Sequence, residues 1–507
     1  MFILDRIAQL KKTDRIALIN REERLSYAGL DERSEAFAAW LLKNPEGARG
    51  PVVICGGKET DFLPCVFGAL KAGLPYVPVD AVNPPERIRE IISDAGSGVT
   101  VDFSGLLSGD CDVISPGELS DILQSPPVAD VPPGLRVSGE DIACILFTSG
   151  SMGRPRGVPV SADNLMSFAG GFSPLLGEGD GGVILNQVSY AFDVSGCSLY
   201  GGISRGMTLF TVDREMVANP GVLFHWLARS GLTAWVSTPS FAEICMSADT
   251  FRQPLLPLLE RFIFCGEVLT HSLCDQLAAR FPNAQVINTY GPTEATVLVT
   301  EVTVTQEMRD DSRPIPIGHP TKGTQLRVAE EGSLVPLEDG CQGELLILGG
   351  NVAPGYYRQP GLTAERFFHD QATGLRGYRT GDICCRENGL FYFLGRADSQ
   401  IKLGGYRIEL EDIEHNLALV KNVSRAAVIP VVEKGKARYL VAFILLEEED
   451  GLSPLTRAIS IKKQAAEFLP AYMIPRKIIA IDSFPLGVSG KTDKKSLAAL
   501  LDKGSAP

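Results

Sequence analysis

Residues 143–157 read ACILFTSGSMGRPRG, an apolar run followed by a loop of glycine, hydroxyl and basic residues. The apolar run has the length and composition of a buried strand, and similar runs recur between segments of helical periodicity. They are PVVICGG (51–57), SGVTVDF (97–103), TLFTV (208–212), LTAWVSTPS (232–240), RFIFCGE (261–267) and AQVINTYG (284–291). Because strands that alternate with helices form βαβ units and parallel sheets, we expect an α/β fold with more than one sheet.

The predicted order of helices and strands changes twice towards the C-terminus. The segments GELLILGG (343–350), GYRTGDI (377–383) and NGLFYFLG (388–395) are apolar runs separated by turn residues, which is typical of antiparallel strands. Helices and strands then mix in a final segment of domain size. We therefore predict a large N-terminal domain over residues 1–397, with two α/β subdomains and a small β subdomain, and a small mobile α+β domain over residues 398–507.

Composition argues against several classes of function. A formal net charge of -13 disfavours partners such as nucleic acid or an anionic membrane surface, both of which need a basic face. No apolar run approaches the ~20 residues that span a bilayer, and charges interrupt the apolar positions at the N-terminus, unlike in a signal peptide. The eleven cysteines lack CxxC spacing and the five histidines lack ligand spacing, which disfavours disulfide frameworks and protein-bound transition metals. We expect a cytoplasmic enzyme.

The loop over residues 148–157, TSGSMGRPRG, is the strongest local signal for chemistry. Small hydroxyl residues and glycines let backbone N–H groups and side-chain hydroxyls surround phosphate oxygens, while Arg154 and Arg156 supply positive charge. The loop lacks the G-x-x-x-x-G-K-[ST] pattern, which argues against the P-loop kinases and ATPases. A glycine- and serine-rich loop without a ligand is the alternative interpretation of this motif taken alone.

Further motifs follow along the chain in the order NTYGPTE (288–294), YRTGD (378–382), GRADSQIK (395–402), GGYRIE (404–409) and GK (490–491). The first follows a strand, where open α/β sheets bind ligands, and it offers an aromatic face for a base, a hydroxyl for phosphate and a carboxylate for a hard cation. The aspartate of the second could accept hydrogen bonds from a ribose. Each motif alone is also explained by a loop or a salt bridge, so the interpretation depends on their order.

This order of motifs resembles the adenylate-forming superfamily, which contains acyl-CoA synthetases, firefly luciferase and the adenylation domains of nonribosomal peptide synthetases. The likeness runs through essentially the whole chain. The segments NQ (186–187), FD (192–193), STPS (237–240) and FCGE (264–267) look most like the D-alanine:D-alanyl carrier protein ligases. The resemblance implies an enzyme that uses ATP and Mg²⁺ to activate a small amino acid and then transfers it to the phosphopantetheine thiol of a carrier protein.

The resemblance also implies a role for each matching position. The β and γ phosphates would be held by Thr148, Ser149, Gly150, Ser151, Gly153, Arg156 and Gly157. The nucleoside would be bound by Asn288, Thr289, Tyr290 on adenine, Asp382 on the ribose hydroxyls and Arg396 on ribose or phosphate. The catalytic residues would be Thr293 at the α-phosphate, Glu294 on Mg²⁺, Arg396, and Lys491 between the substrate carboxylate and the α-phosphate. Asp398 would be the hinge between the two domains.

The same resemblance implies a pocket for the substrate. Asp193 would pair with the α-ammonium of an amino acid, because a buried aspartate without a cationic partner is costly. The side-chain pocket would be lined by Val194, Cys197, Val236, Ile263, Cys265, Gly266, Thr289, Val297 and Leu298. All are apolar or small, so we expect a small apolar substrate, and D-alanine is the first candidate.

Four positions depart from the family pattern. Met152 stands where threonine is usual in the phosphate loop, and Arg156 stands where lysine is usual, which keeps the charge but not the geometry. In the pocket, Cys197 replaces a larger methionine and Leu298 replaces an alanine. Glycine, L-alanine and L-proline therefore stay alternatives to D-alanine. An acyl-CoA synthetase is the alternative reaction, which Asp193 disfavours.

Overall fold

The structure is a computed structural model that describes residues 2–44, 50–107, 109, 112–125, 131–150, 155–398, 400–433, 436–449, 451–485 and 492–502. It divides into two compact units. The first contains Met1–Asp80, Ile92–Phe147 and Gly157–Ala397, and the second contains Ala81–Ile91, Thr148–Arg156 and Asp398–Pro507. The assignment of separate roles to residues 1–397 and 398–507 stays a prediction.

Two largely parallel sheets contain most of the strands. The larger has nine strands in the spatial order His319–Pro320, Thr300–Thr303, Gln285–Tyr290, Arg261–Phe264, Ala234–Ser237, Val183–Asn186, Thr208–Thr211, Ile16–Asn20 and Glu23–Ser26. The smaller has six in the order Val113–Ile114, Val99–Asp102, Val52–Gly56, Tyr76–Asp80, Ile142–Thr148 and Arg156–Ser161. In the larger sheet the six strands from Gln285–Tyr290 to Ile16–Asn20 are parallel. The predicted α/β fold with several sheets is confirmed.

The remaining strands are mainly antiparallel. A five-stranded sheet orders Thr324–Ala329, Gln342–Gly349, Arg376–Glu387 and Phe367–His369, and Leu390–Arg396 also pairs with Arg376–Glu387. In the second unit, Gln400–Leu403 pairs with Tyr406–Glu409, and a three-stranded sheet orders Val423–Glu433, Lys436–Leu446 and Lys477–Ala480. Of these, only Lys436–Leu446 and Lys477–Ala480 form a parallel pair among the described residues.

The α-helices connect these strands. They are Phe2–Leu10, Tyr27–Lys43, Phe62–Lys71, Pro85–Ala95, Pro116–Gln124, Ala162–Phe172, Arg214–Ala218, Pro220–Leu227, Pro239–Met246, His271–Arg280, Gln306–Asp310, Pro360–Arg366, Leu410–Leu417, Pro454–Ala465 and Lys494–Asp502. Local sequence explains where several begin: Ser161 caps Ala162–Phe172 reciprocally with Asn164, a capping box. Among the described residues, no helix is both long and apolar enough to cross a membrane.

Alternation along the central strands positions the pocket. Successive side chains of a strand point to opposite faces. Trp235, Phe262 and Phe264 therefore pack in one buried aromatic cluster. Val236 and Ile263 follow Trp235 and Phe262 along their strands, so their side chains pack in the core on the opposite face of the sheet. This second core also contains Val194, Cys197, Cys265, Val297 and Leu298, so most of the predicted pocket residues come from different elements into one cluster.

Candidate active site

One corner of the site joins the residues predicted to bind the nucleoside. Tyr290 ends the strand Gln285–Tyr290, and its hydroxyl donates a hydrogen bond to the carboxylate of Asp382 in the strand Arg376–Glu387. The Arg396 guanidinium forms a salt bridge with the same carboxylate. Burial first, and then the neighbouring carboxylate, raises the pKa of Tyr290 well above its usual value, so the phenol stays a donor. The structure therefore brings Tyr290, Asp382 and Arg396 together.

Two neighbouring residues of the predicted nucleoside site, Asn288 and Thr289, form side-chain hydrogen bonds to backbone carbonyls. Asn288 Nδ2 donates to the carbonyl of Pro316 at 2.8 Å, and Thr289 Oγ1 donates to the carbonyl of Phe264 at 2.8 Å. Both residues are buried. Their side chains hold the end of this strand against its surroundings.

A second corner joins the predicted α-phosphate and substrate sites. Thr293 lies in the single helical turn Thr293–Ala295 after the strand, and Asp193 lies in the segment that follows Val183–Asn186. Thr293 Oγ1 donates to Asp193 Oδ2 at 2.7 Å. An ammonium bound to Asp193 would therefore lie next to a phosphate bound to Thr293. Such neighbours are expected when an amino acid reacts with the α-phosphate of ATP.

Most of the side chains predicted to line the substrate pocket are buried in one apolar core cluster. Cys265 and Val297 are 1% and 3% exposed, and Cys265 Sγ donates to the Val297 carbonyl at 3.7 Å. Burial raises the pKa of the Cys197 thiol well above its usual value, so this group is a neutral packing side chain. A cavity of about 20 Å³ next to Asp193 has room for about one water molecule. Of the predicted pocket residues, it is lined by Asp193 and Val297, and large side chains such as Tyr76, Tyr190 and Tyr200 form much of the rest.

Backbone strain marks the turn between these two corners. Thr296 and Val297 have φ of 56° and 73°, which non-glycine and especially β-branched residues rarely adopt. Thr296 Oγ1 donates to the carbonyl of Asn351 at 2.7 Å, which holds the turn in place. Gly291 packs so tightly that an added Cβ would lie 2.5 Å from Leu298 Cα. Such strain persists only where the surrounding structure enforces it.

Glu294 is fully buried next to these groups. Its Oε1 accepts a hydrogen bond from the Tyr356 hydroxyl at 2.9 Å, and its backbone carbonyl accepts from the Ala353 N–H at 2.9 Å. No cluster of three or more histidine, cysteine, aspartate or glutamate residues occurs in the described part of the chain. A cation here would share a single carboxylate with phosphate oxygens, a donor set of hard oxygens that fits Mg²⁺.

The phosphate loop is only partly described. Thr148 Oγ1 donates to the Arg156 carbonyl at 3.4 Å, which closes the base of the loop. Ser149 Oγ donates to the carbonyl of Arg407 at 2.9 Å and accepts from the Glu409 N–H at 3.1 Å. Gly150 lies beside Ser149, whereas the predicted Ser151 and Gly153 lie outside the described residues. At Gly157 an added Cβ would lie 3.0 Å from the Ile145 side chain, so this glycine permits close packing.

The remaining predicted residues are Lys491, Gly266 and Asp398. Lys491 lies outside the described residues, so its role rests on the sequence. Gly266 has φ of 93°, and an added Cβ would lie 3.5 Å from Thr238 Cγ2. Asp398 is the first residue of the final segment of the second unit, and its Oδ1 accepts from the Gln400 N–H at 3.2 Å.

Sequence reasoning missed several residues that support the site. Asn186, which stands in the NQ segment but was assigned no role from the sequence, is buried, and its Oδ1 accepts from Lys58 Nζ at 2.8 Å and from Ser198 Oγ at 3.1 Å. Tyr356, the partner of Glu294, was also missed. Neither Lys58 nor Tyr356 stands in a motif with a chemical pattern, so only their three-dimensional neighbours identify them.

Comparison with known proteins gives a consistent set of relatives. Residues 4–357 match the family model described as AMP-binding enzyme, and residues 412–491 match that of the AMP-binding enzyme C-terminal domain. The chain is 40% identical over 504 residues to a D-alanine–D-alanyl carrier protein ligase of Bacillus licheniformis, which covers 98% of this chain and 99% of the relative.

Solved structures show the same fold. The adenylation domain AlmE of Vibrio cholerae, in complex with glycyl-adenosine-5'-phosphate, superposes with a TM-score of 0.83 at 24% identity over 99% of this chain and 97% of that one. An artificially fused adenylation-PCP didomain of Klebsiella oxytoca, NpsA-ThdA, gives 0.80 at 23% identity over 99% and 96%. At these identities the likeness establishes the fold alone.

Proposed function

Because this chain belongs to the AMP-binding enzyme family, we propose that it activates a small amino acid with ATP and transfers it to a carrier protein. The family membership confirms the resemblance drawn from the motifs. The observation that carries the proposal is the 2.7 Å hydrogen bond from Thr293 to Asp193, because it joins a carboxylate suited to an ammonium to a hydroxyl suited to the α-phosphate. The first product would be an aminoacyl-AMP, with release of pyrophosphate.

The amino acid would be recognised at Asp193. An ammonium ion gives this partly buried carboxylate a hydrogen bond in which both partners are charged, whereas the Thr293 hydroxyl is neutral. The side chain would enter among Cys197, Cys265 and Val297, which leave no charged group to pair with a charged substrate. The 40% identical ligase of Bacillus licheniformis makes D-alanine the first candidate, ahead of glycine, L-alanine and L-proline.

ATP would be held by the groups of the first corner. The aromatic face of Tyr290 suits adenine, and Asp382 suits the ribose hydroxyls, with Arg396 holding that carboxylate in place. Thr293 would donate to an oxygen of the α-phosphate. Mg²⁺ would be bound by Glu294, and when present it would neutralise charge on the phosphates.

Adenylation then requires the substrate carboxylate to reach the α-phosphorus. A carboxylate oxygen forms the new P–O bond while the bond to pyrophosphate breaks, and both reactants are anions. Positive charge is therefore needed between them, which is the role that we assign to Lys491. In the second step the phosphopantetheine thiol of a carrier protein attacks the acyl carbon and releases AMP. We place this reaction in the cytoplasm, where ATP is available.

Pyrophosphate exchange into ATP tests the first step. The panel would contain D-alanine, L-alanine, glycine, L-proline and propionate, which keeps the carboxylate and the methyl group of alanine but lacks the amine. We expect the fastest exchange with D-alanine and none above background with propionate. Equal exchange with propionate would refute the amino acid assignment and favour an acyl-CoA synthetase.

The second step is tested with a purified carrier protein in its phosphopantetheine form and with free coenzyme A. Intact-protein mass spectrometry would detect the mass of one aminoacyl group on the carrier. Formation of a coenzyme A thioester without acylation of the carrier would contradict the proposed acceptor. The unmodified carrier, which lacks the thiol, is the matched control.

A further inference from the structure

Two buried tyrosines form a hydrogen-bonded chain with Glu294. Tyr356 is 5% exposed and its hydroxyl donates to Glu294 Oε1 at 2.9 Å. Tyr378 is 2% exposed and its hydroxyl lies 3.3 Å from that of Tyr356. Since the Tyr356 proton is directed to the carboxylate, the Tyr378 hydroxyl is the donor in the second contact. The three residues form one hydrogen-bonded chain.

The rings of this chain are held by packing. The rings of Phe367 and Tyr356 are nearly perpendicular with centroids 5.3 Å apart, and the centroids of Phe367 and Tyr378 are 4.9 Å apart. The backbone N–H of Tyr356 also donates to Thr363 Oγ1 at 2.9 Å. A hydroxyl on a ring held in this way has little freedom to turn from the carboxylate.

The same loop also holds the backbone of Glu294. The Ala353 N–H donates to the Glu294 carbonyl at 2.9 Å, and the Asn351 carbonyl accepts from Thr296 Oγ1 at 2.7 Å. The main chain and the side chain of Glu294 are therefore both hydrogen-bonded to residues within 351–356. Such precise support is expected for a carboxylate whose orientation matters, because groups that orient a metal ligand tune its affinity for the metal.

We propose that Tyr356 is a positioning residue that orients the Glu294 carboxylate for Mg²⁺, with Tyr378 strengthening the Tyr356 hydrogen bond. This inference rests on the proposed function, in which Glu294 binds the ion. A hydrogen bond from Tyr378 polarises the Tyr356 hydroxyl and makes it a better donor. The charge-assisted bond then fixes the carboxylate plane in a fully buried position.

The test is the substitution Tyr356→Phe, which removes the hydroxyl and keeps the ring against Phe367. Binding of Mn²⁺, a spectroscopic substitute for Mg²⁺, would be titrated by electron paramagnetic resonance with a non-hydrolysable ATP analogue bound. We expect the Kd for Mn²⁺ to rise about tenfold, the lower end of the usual effect of groups that orient a metal ligand. Tyr378→Phe should act in the same direction with a smaller change.

Tyr357→Phe is the matched control, because the neighbouring tyrosine donates its hydroxyl to the Ala95 carbonyl at 3.1 Å and does not contact Glu294. Its Mn²⁺ Kd should equal that of the wild type. The Kd of the ATP analogue without metal should be unchanged in all three variants, since the positioning acts through the ion. A thermal melt of each variant establishes that it is folded.

Glu294→Gln separates this inference from the proposed function. If Glu294→Gln weakens Mn²⁺ binding and Tyr356→Phe does not, the carboxylate binds the ion but the tyrosine is only structural, and the inference is wrong. If Glu294→Gln itself leaves Mn²⁺ binding unchanged, the metal role of Glu294 fails and the inference falls with it. If Mn²⁺ binding is weakened in both Glu294→Gln and Tyr356→Phe and is unchanged in Tyr357→Phe, the result supports the inference.

Discussion

At the scale of the residue, Asp193 and Thr293 are joined by one hydrogen bond, and we propose that each group changes its partner when substrate and ATP bind. The Asp193 carboxylate accepts a hydrogen bond from the Thr293 hydroxyl. A substrate ammonium would offer the same carboxylate an ionic partner, and the threonine hydroxyl would become available for the α-phosphate. The hydrogen bond gives each of these two groups a partner, as polar groups removed from water require.

The first prediction concerns the charge of Asp193. Asp193→Ala leaves the substrate ammonium without its partner, so we expect KM for the amino acid to rise by the equivalent of roughly 2–5 kcal/mol, the scale for removing one member of a buried charge pair. Pyrophosphate exchange at varied amino acid concentration measures it. Asp163→Ala, at an exposed carboxylate in the first turn of Ala162–Phe172, is the control. An unchanged KM would place the ammonium elsewhere.

The second prediction concerns Cys265, which we interpret as a packing group. Its thiol donates to the Val297 carbonyl inside the pocket. Cys265→Ala should stay active but discriminate less between D- and L-alanine, because a change of about one heavy atom in a pocket alters selectivity by roughly 1–3 kcal/mol. Exchange rates with both enantiomers measure this ratio. Cys245→Ala, a buried cysteine in the other core cluster, should keep it. Complete loss of activity with normal folding would indicate covalent catalysis.

At the scale of the element, the turn after the strand Gln285–Tyr290 decides the geometry of the site. Gly291 follows the last residue of the strand, and Thr293 and Glu294 lie in the next helical turn. Thr296 and Val297, which have positive φ, come directly after that turn. The turn leaves no room for a side chain at its start. The strain at Thr296 and Val297 is balanced by packing on both sides.

The third prediction tests this packing. Gly291→Ala places a Cβ 2.5 Å from Leu298 Cα and 2.6 Å from the Val297 oxygen, both backbone atoms that cannot move cheaply. We expect the free energy of unfolding to fall by roughly 1–3 kcal/mol, the scale for overpacking. Gly170→Ala is the control, since nothing lies within 4 Å of its added Cβ in the helix Ala162–Phe172. Denaturant unfolding of both measures the difference, and equal stabilities would contradict the expected clash.

At the scale of the whole molecule, the two half-reactions need different groups. Lys491 and the Gly404-Gly405 pair stand far apart in the second unit's sequence, and the resemblance assigns Lys491 to the reaction centre. We hypothesise that a rotation at Asp398 presents them in turn, since hinges are a few residues that absorb large changes in φ and ψ. This hinge stays a prediction.

The fourth prediction separates the two steps. Lys491→Ala should abolish pyrophosphate exchange yet still transfer the acyl group from supplied aminoacyl-AMP, whereas Gly405→Leu should keep exchange and block carrier acylation. A pantetheine arm that passes close to the backbone leaves no room for a side chain. Gly451→Leu, another left-handed glycine of the same unit with open space around it, controls for backbone strain. If a folded Gly405→Leu variant lost activity equally in pyrophosphate exchange and in carrier acylation, the proposed rotation at Asp398 would be excluded.

Local sequence was sufficient for much of the fold and for the burial of several predicted pocket residues. The strands at Val52–Gly56, Ala234–Ser237 and Arg261–Phe264 follow from short apolar runs, because burial on both faces of a parallel sheet demands them. The burial of Val236 and Cys265 follows equally from their place in or beside such runs. The capped helix Ala162–Phe172 begins at a serine, as its side-chain chemistry requires.

The sequence by itself thus determined the fold class and the family and predicted which residues carry chemistry, since these depend on residue type and on neighbours a few positions away. Only the tertiary structure decided which groups meet. Thr293 and Asp193 are 100 residues apart, Tyr290 and Asp382 are 92 apart, and Tyr356 and Glu294 are 62 apart. Hydrogen bonds over such separations form only when packed sheets and strained turns bring distant segments together, and no local pattern encodes that distance.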